Sequence, residues 1–210
     1  MTWETDLGAS TDAGASIASA SRERVAEIVP AGDDPFATRL RRKAVHATGD
    51  PTARHRLAID DGARATLDAL RDGAPIVVDV AMVAAGITDR APHGPVRTAV
   101  EAGADAPADR TRTATGIDRL AADGALDDAL VVVGTAPTGA LAVADRIESG
   151  VRPAAVIATP VGFVDAARSR RRVRAVGADG DVPTITTYGR RGGCGLAAAL
   201  ANECCHAADD

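Results

Sequence analysis

Residues 41–50, RRKAVHATGD, place three cations before a single histidine and a small polar turn. Arg41, Arg42 and Lys43 supply positive charge that favours a bound carboxylate or phosphate. The imidazole of His46 titrates near neutrality, so it can donate or accept a proton. The pattern indicates proton transfer on an anionic substrate, although a packed structural histidine fits the same pattern.

Two glycine-rich turns offer backbone amides that could bind anionic oxygens. The first, GTAPTG at residues 134–139, lacks the ending of a Walker phosphate loop and is typical of a tight strand-to-helix turn. The second, GRRGGCG at residues 189–195, lacks the spacing of a dinucleotide-binding fingerprint. Because Arg190 and Arg191 lie within it, it fits either a carboxylate or phosphate contact or a solvated basic loop.

Three other features carry polar side chains with possible roles. Asp79 lies inside an apolar run, and a buried carboxylate needs a partner, so it is a candidate for orienting another group of a site. The arginine-rich run 168–174 is typical of a solvated helix face. The Cys-Cys-His group at 204–206 lacks a second ligand pair at metal-binding spacing, which favours structural or incidental cysteines.

The elements that must position these residues follow from hydrophobic periodicity and turn signals. Helices are predicted at 21–29, 36–47, 57–71 and 117–125, a strand at 75–82, and a loop with one short helical piece at 91–109. Three strand–turn–helix units follow, with strands at 129–133, 154–158 and 182–188 and helices at 140–148, up to 174 and at 196–205. We therefore predict a single-domain, three-layer α/β/α fold with a mostly parallel sheet and a ligand beyond the carboxyl ends of the strands. His46 would lie near a helix C-terminus, where the helix dipole favours a protonated imidazole.

Composition narrows the function classes. The 210 residues suit one domain at 17–206, with a poorly ordered arm at 1–16 and a short tail at 207–210. A net charge of -5 and 2% aromatic residues disfavour nucleic-acid binding. No long apolar run indicates a membrane span, and the N-terminus MTWETDLGAS has no signal-peptide pattern, so we expect a cytoplasmic protein.

Six segments occur along the chain in the order VHATGD, PIVVDVAMVAAGI, TRTA, VVVGTAPTGAL, RPAAVIATPVGFVDAARSR and TYGRRGGC. Together they resemble the precorrin-8X methylmutases of cobalamin biosynthesis, including their cobalt-precorrin-8 counterparts, over about residues 17–202. The resemblance implies an α/β homodimer that needs no cofactor or metal. It also implies an isomerase that moves a methyl group from C-11 to C-12 in ring C of the substrate, giving hydrogenobyrinate or cobyrinate.

The same resemblance assigns roles to individual residues. His46 matches the histidine of the family's HATG stretch, the implied proton donor and acceptor on the macrocycle. Ser21, Lys43 and Arg112 match positions of the family that are expected to face the substrate.

Thr135 and Arg190 complete the predicted substrate contacts. Five residues depart from the family pattern. Arg22 stands where an aromatic residue is usual, and Ala81 and Thr135 each stand where Asn is usual. Arg170 stands where Ser-Lys is usual, and Cys194 where Ser is usual. A carrier or scaffold that binds the tetrapyrrole without catalysis is the alternative within the resemblance. Without the resemblance, a nucleotide-binding enzyme fits the same residues.

Overall fold

The chain folds around a mixed sheet, seen in a computed structural model that describes residues 11–88 and 92–210. The strands within these residues are β1 (Leu57–Ile59), β2 (Ile76–Val78), β3 (Val96–Thr98), β4 (Leu130–Val133), β5 (Ala155–Ala158) and β6 (Thr184–Thr187). Their spatial order is β1-β6-β5-β4-β2-β3. β1 runs antiparallel to β6, and the other neighbouring pairs are parallel. The prediction of a mostly parallel sheet is confirmed.

Helices cover both faces of the sheet. They are α1 (Asp12–Ile28), α2 (Pro35–Thr48), α3 (Thr66–Arg71), α4 (Ala81–Ala84), α5 (Ala99–Ala102), α6 (Arg112–Ala122), α7 (Pro137–Glu148), α8 (Ala166–Gly180) and α9 (Cys194–Asp209), with 3₁₀ helices at Pro51–His55 and Asp61–Ala65. No helix among the described residues is long and apolar enough to cross a membrane.

Alternate residues of the central strands face two separate apolar cores, because side chains alternate across a strand. Ile76 and Val78 pack with α1 to α4 and α9 on one side. Val77 and Val131 pack with α5 to α8 on the other. Every residue of β4 and β5 is buried, as expected for strands covered on both faces. The predicted three-layer α/β/α architecture is confirmed.

Residues 57–71, predicted as one helix, contain three shorter elements, and that prediction is wrong. β1 pairs with β6 at the sheet edge, and the side chain of Asp60 then accepts a hydrogen bond from the Gly62 N–H and starts a 3₁₀ helix. The pairing partner lies far along the chain, so local periodicity carried no sign of it. Leu57 pairs with Thr187, which brings the segment before β1 to the carboxyl end of β6.

The chain ends also differ from prediction. Helix α1 begins at Asp12, so the arm predicted for residues 1–16 is helical over its last residues. The first ten residues of that arm lie outside the described part of the chain. At the other end, α9 continues to Asp209 and includes most of the tail predicted for 207–210.

Two shorter segments correct the prediction around β2. The strand predicted for residues 75–82 ends at Val78, and α4 begins at Ala81. The loop predicted for 91–109 contains the short helix α5, as expected, but also β3, which pairs in parallel with β2. Residue 91 of that loop lies outside the described residues.

Candidate active site

A cleft of about 650 Å³ opens at the carboxyl edge of the parallel strands. The loops after β5 and β6 and the 3₁₀ helix Pro51–His55 form its walls. Its cationic lining comes from Arg56, Arg190 and Arg191, and its apolar lining includes Phe163. The volume falls within the roughly 300–1,000 Å³ of small-molecule sites. A cleft of this size and charge suits an organic polyanion.

His46 and Ser21 form a hydrogen-bonded pair close to this cleft. Ser21 Oγ on α1 lies 3.1 Å from His46 Nδ1 on α2. Two residues later, Thr48 lines the cleft, and Gly49 ends the helix in the left-handed conformation, with φ 63°. The last turn of α2 thus carries both His46 and the cleft residue Thr48, and the serine contacts the imidazole at Nδ1, one of its two proton-exchanging nitrogens.

The environment of His46 lowers its pKa below the usual 6.5. Partial burial is the main cause, because it disfavours the charged ring, and the positive charges of Lys43 and Arg22 add to it. His46 lies in the last turn of α2, as predicted, and the favourable effect of the helix dipole expected there stays a prediction. Desolvation and the two neighbouring cations thus favour the neutral imidazole.

Lys43 lies in a buried ion network between α2 and α9. Its Nζ atom is 3.7 Å from Oε2 of Glu203, a fully buried carboxylate. Arg39 Nε donates a 2.8 Å hydrogen bond to Oε1 of the same residue. Lys43 is thus held in the interior, where its charge acts on His46, and its predicted contact with substrate stays a prediction.

Asp79 organises the turn after β4. Its carboxylate is fully buried and accepts hydrogen bonds from three consecutive backbone N–H groups. Oδ1 accepts from Gly134 at 3.1 Å, and Oδ2 accepts from Thr135 at 2.8 Å and from Ala136 at 2.9 Å. The partner required for a buried carboxylate is therefore the backbone at the start of α7.

The remaining predicted contacts divide between two places. Thr135 is exposed, and its hydroxyl hydrogen-bonds with Cys194 at the start of α9. Arg112 is exposed at the start of α6, where its guanidinium donates to the Val100 carbonyl oxygen at 3.3 Å. Arg112 is not among the residues lining the cleft. The structure thus brings Ser21 to His46, whereas Arg112 lies apart from the cleft.

The loop after β6 forms the cationic wall of the cleft. The guanidinium of Arg190 lies 4.9 Å from the ring centroid of Phe163, and Arg191 forms an ion pair with Asp50. A Cβ atom on Gly192 would lie 2.0 Å from the Thr159 carbonyl oxygen, so only glycine fits this close approach to the end of β5. The sequence left two alternatives for this loop, an anion contact or a solvated basic loop. Its position in the cleft wall favours the anion contact.

Arg170 is a residue whose role sequence reasoning missed. The run 168–174 was predicted to be a solvated face, yet the Arg170 side chain is fully buried. Its guanidinium contacts the loop after β6. The buried positions of α8 include Ala166, Arg170 and Val173, spaced by four and three residues. That helical spacing was the available signal, and it was hidden by the charge of the neighbouring arginines.

The cysteines lie in the interior. Cys204 and Cys205 are fully buried; burial raises the pKa of both thiols, to about 12 for Cys205. Such thiols remain protonated near neutral pH and pack as small apolar groups. Across residues 11–88 and 92–210, no group of three or more His, Cys, Asp or Glu side chains is placed to hold a metal ion.

The fold and site together are those of an α/β protein with a cationic cleft beside a histidine–serine pair. The chain matches the model of the precorrin-8X methylmutase family over residues 16–207. The chain belongs to this family. The predicted family is confirmed, and relatives that share it are named as methylmutases, which are isomerases.

Individual relatives agree with the family match. The chain is 36% identical to a cobalamin biosynthesis protein, CbiHC, of Archaeoglobus fulgidus over 93% of its own length, but it spans only 40% of that relative. It is 31% identical to a cobalt-precorrin-8 methylmutase of Methanocaldococcus jannaschii, covering 93% of this chain and 95% of the relative. The crystal structure of a precorrin-8X methylmutase from Thermus thermophilus superposes with a TM-score of 0.80 at 32% identity, covering 93% and 98% of the two chains.

Proposed function

We propose that this protein is a methylmutase that acts on precorrin-8X or cobalt-precorrin-8, moving a methyl group from C-11 to C-12 of the macrocycle. The observation that carries the proposal is the Ser21–His46 pair, because its histidine lies on the helix whose last residue, Thr48, lines a cationic cleft. Any cobalt belongs to the substrate. The family membership and the named relatives support the substrate class.

His46 serves as the acid and base of this reaction. A proton given to the conjugated ring system lowers the barrier to methyl migration, and its return to the imidazole completes the cycle. Ser21 fits both states, because a hydroxyl can donate to or accept from Nδ1. Whichever tautomer is present at Nδ1, the hydroxyl can adapt while Nε2 exchanges the proton.

Substrate binding would prepare His46 for its acid role. In the protein alone, burial and the charges of Lys43 and Arg22 keep the pKa of the imidazole below 6.5. A substrate with several acetate and propionate carboxylates brings negative charge close to the ring. That charge raises the pKa of His46 and favours the protonated form only when substrate is present.

The cleft would hold the carboxylates through arginine side chains and backbone amides. Arg56, Arg190 and Arg191 line it, and guanidinium groups bind carboxylates with two parallel hydrogen bonds. We propose Thr135, in the turn after β4, and Arg112, at the start of α6, as further substrate contacts outside the cleft lining, and a cytoplasmic homodimer as the acting form. The family resemblance supports these assignments.

The decisive experiment compares His46→Ala with the wild type in binding and in turnover. Visible absorption spectra report binding of hydrogenobyrinate, and conversion of precorrin-8X to hydrogenobyrinate reports turnover. We expect isomerisation to be lost, with the affinity for hydrogenobyrinate within about tenfold of wild type, because the carboxylate contacts remain. Full turnover by His46→Ala would refute its acid–base role. Binding by the wild type without turnover would point to the carrier.

A further inference from the structure

Arg170 lies inside the protein, behind Thr187 and Arg191 of the cleft lining. Its side chain is fully buried between α8 and the sheet. Nε donates to the Ala166 carbonyl oxygen at 3.0 Å, one turn earlier in the same helix. The rest of the guanidinium reaches across to β6 and the loop that follows it.

The two terminal nitrogens of this guanidinium contact the cationic wall and the end of β6. Nη1 donates to Thr187 Oγ1 and, at 3.1 Å, to the Arg191 carbonyl oxygen. Nη2 donates to the Gly189 carbonyl oxygen. One planar group thus holds both sides of residue 190, whose side chain lines the cleft.

The same contacts connect to the helix that carries His46. Arg191, fixed through its carbonyl oxygen, extends its side chain to an ion pair with Asp50. Asp50 caps the 3₁₀ helix that follows α2 and lines the cleft. Displacement of the loop would therefore disturb the cationic wall and the turn beyond His46 together.

The charge of Arg170 is also unusual. Within the described residues its hydrogen-bond partners are all neutral oxygens, and no ion pair reaches it. A neighbouring cation, Arg174, lies on the same helix and donates to Thr186 Oγ1 at 2.7 Å. Burial and the charge of Arg174 lower the pKa of Arg170, yet a guanidinium stays charged at neutral pH. The guanidinium behind the cationic wall thus carries a positive charge with which no acidic side chain of the described residues forms an ion pair.

We infer that Arg170 is a positioning and specificity residue: it fixes the loop that carries Arg190 and Arg191, and its buried charge favours ligands with many carboxylates. This inference rests on the proposed function, because it assigns the ligand of the same cleft. A buried charge close to a site is weakly screened by salt and acts on every carboxylate in the cleft.

The test uses the full-length protein with three variants, Arg170→Met, Arg170→Lys and Arg171→Met. Arg171 is the adjacent, exposed residue of α8, so its variant removes the same charge from the surface and serves as the matched control. Visible absorption titrations measure the dissociation constants of hydrogenobyrinate and of its a,c-diamide, which has two fewer carboxylates. Thermal denaturation followed by circular dichroism confirms that each variant is folded.

We expect Arg170→Met to weaken hydrogenobyrinate binding at least about tenfold, because displacement of the loop would weaken a charge-assisted contact of Arg190 or Arg191, and Arg171→Met to stay within about twofold. The diamide should lose less affinity than hydrogenobyrinate. KM for precorrin-8X should rise more than kcat falls, because His46 is intact. Arg170→Lys keeps the charge but lacks the planar fork that reaches four oxygens, so its affinity should lie between those of wild type and Arg170→Met.

The outcomes separate this inference from the proposed function. If the wild type binds hydrogenobyrinate and folded Arg170 variants bind it equally well, the inference is overturned and the proposed function stands. If both ligands weaken by the same factor, the specificity role is overturned. If Arg170→Met does not fold, Arg170→Lys decides by the same comparison. If the wild type does not bind hydrogenobyrinate, the proposed function fails and this inference fails with it.

Discussion

Replacement of Asp79 tests how the turn at the start of α7 is held. Asp79→Ala removes the acceptor for three backbone N–H groups. A hydrogen bond to a charged group contributes about 1.5–3 kcal/mol to stability. Gly134 is buried, but Thr135 is exposed and Ala136 half-buried, so water can replace part of the loss. We therefore expect Asp79→Ala to lower the free energy of unfolding by about 3–5 kcal/mol, roughly the contribution of two such bonds.

The isosteric Asp79→Asn variant refines the magnitude. Its amide has one acceptor oxygen, so the better of its two orientations keeps the bonds to Thr135 and Ala136 and loses the one to Gly134. The expected loss is then about 1.5–3 kcal/mol. Asp127, an acid that accepts one exposed backbone N–H from Arg152, provides the control, and Asp127→Asn should change stability by less than about 1 kcal/mol.

Urea denaturation followed by circular dichroism measures all three variants. The free energy of unfolding should be highest for Asp127→Asn, lower for Asp79→Asn and lowest for Asp79→Ala. If Asp79→Ala lies within about 1 kcal/mol of the wild type, the carboxylate does not hold the turn, and the reasoning from buried hydrogen bonds is refuted.

Further predictions concern charge and assembly. Lys43→Met should raise the pKa of His46, measured by NMR titration of the imidazole, because a cation that disfavours protonation is gone. Arg41→Met, the control, should leave this pKa unchanged. An unchanged pKa in Lys43→Met would contradict the assignment of the shift to Lys43. The pKa of His46 lies below 6.5 in the folded state, so between that pKa and 6.5 the unfolded state binds more protons than the folded state. The free energy of unfolding should therefore fall as the pH is lowered through this range. His46→Gln should weaken this pH dependence. Sedimentation velocity should show a species of twice the chain mass, and a monomer at all concentrations would exclude the proposed homodimer.

The sequence predicted the regular part of the fold well. Strands β4 and β5 are continuous apolar runs followed by small-residue turns and helices, so their local pattern matches their place between two helical layers. The error at residues 57–71 has the opposite cause. β1 depends on pairing with β6, and its three residues carry no local signal that outweighs a helical spacing of apolar residues.

The candidate site also has a part that the sequence predicted and a part that it could not predict. His46 stood out because its residue type and the cations before it suggest proton chemistry, and the structure adds its bond to Ser21. The burial of Lys43 against Glu203 and of Arg170 behind the cationic wall could not be predicted. Long charged side chains are usually exposed, and their burial depends on partners distant in the chain.

The contacts that close the site have a consequence for the order in which the molecule is made. The ion pair of Asp50 with Arg191 joins residues 141 positions apart, and the bond of Arg39 to Glu203 spans 164 positions. A chain leaving the ribosome exposes the helix of His46 long before the last strand and helix exist. Non-local contacts of this kind form slowly. The N-terminal quarter of a nascent chain therefore cannot form these contacts until the final residues are synthesised. A prematurely terminated chain would lack the cationic wall of the cleft.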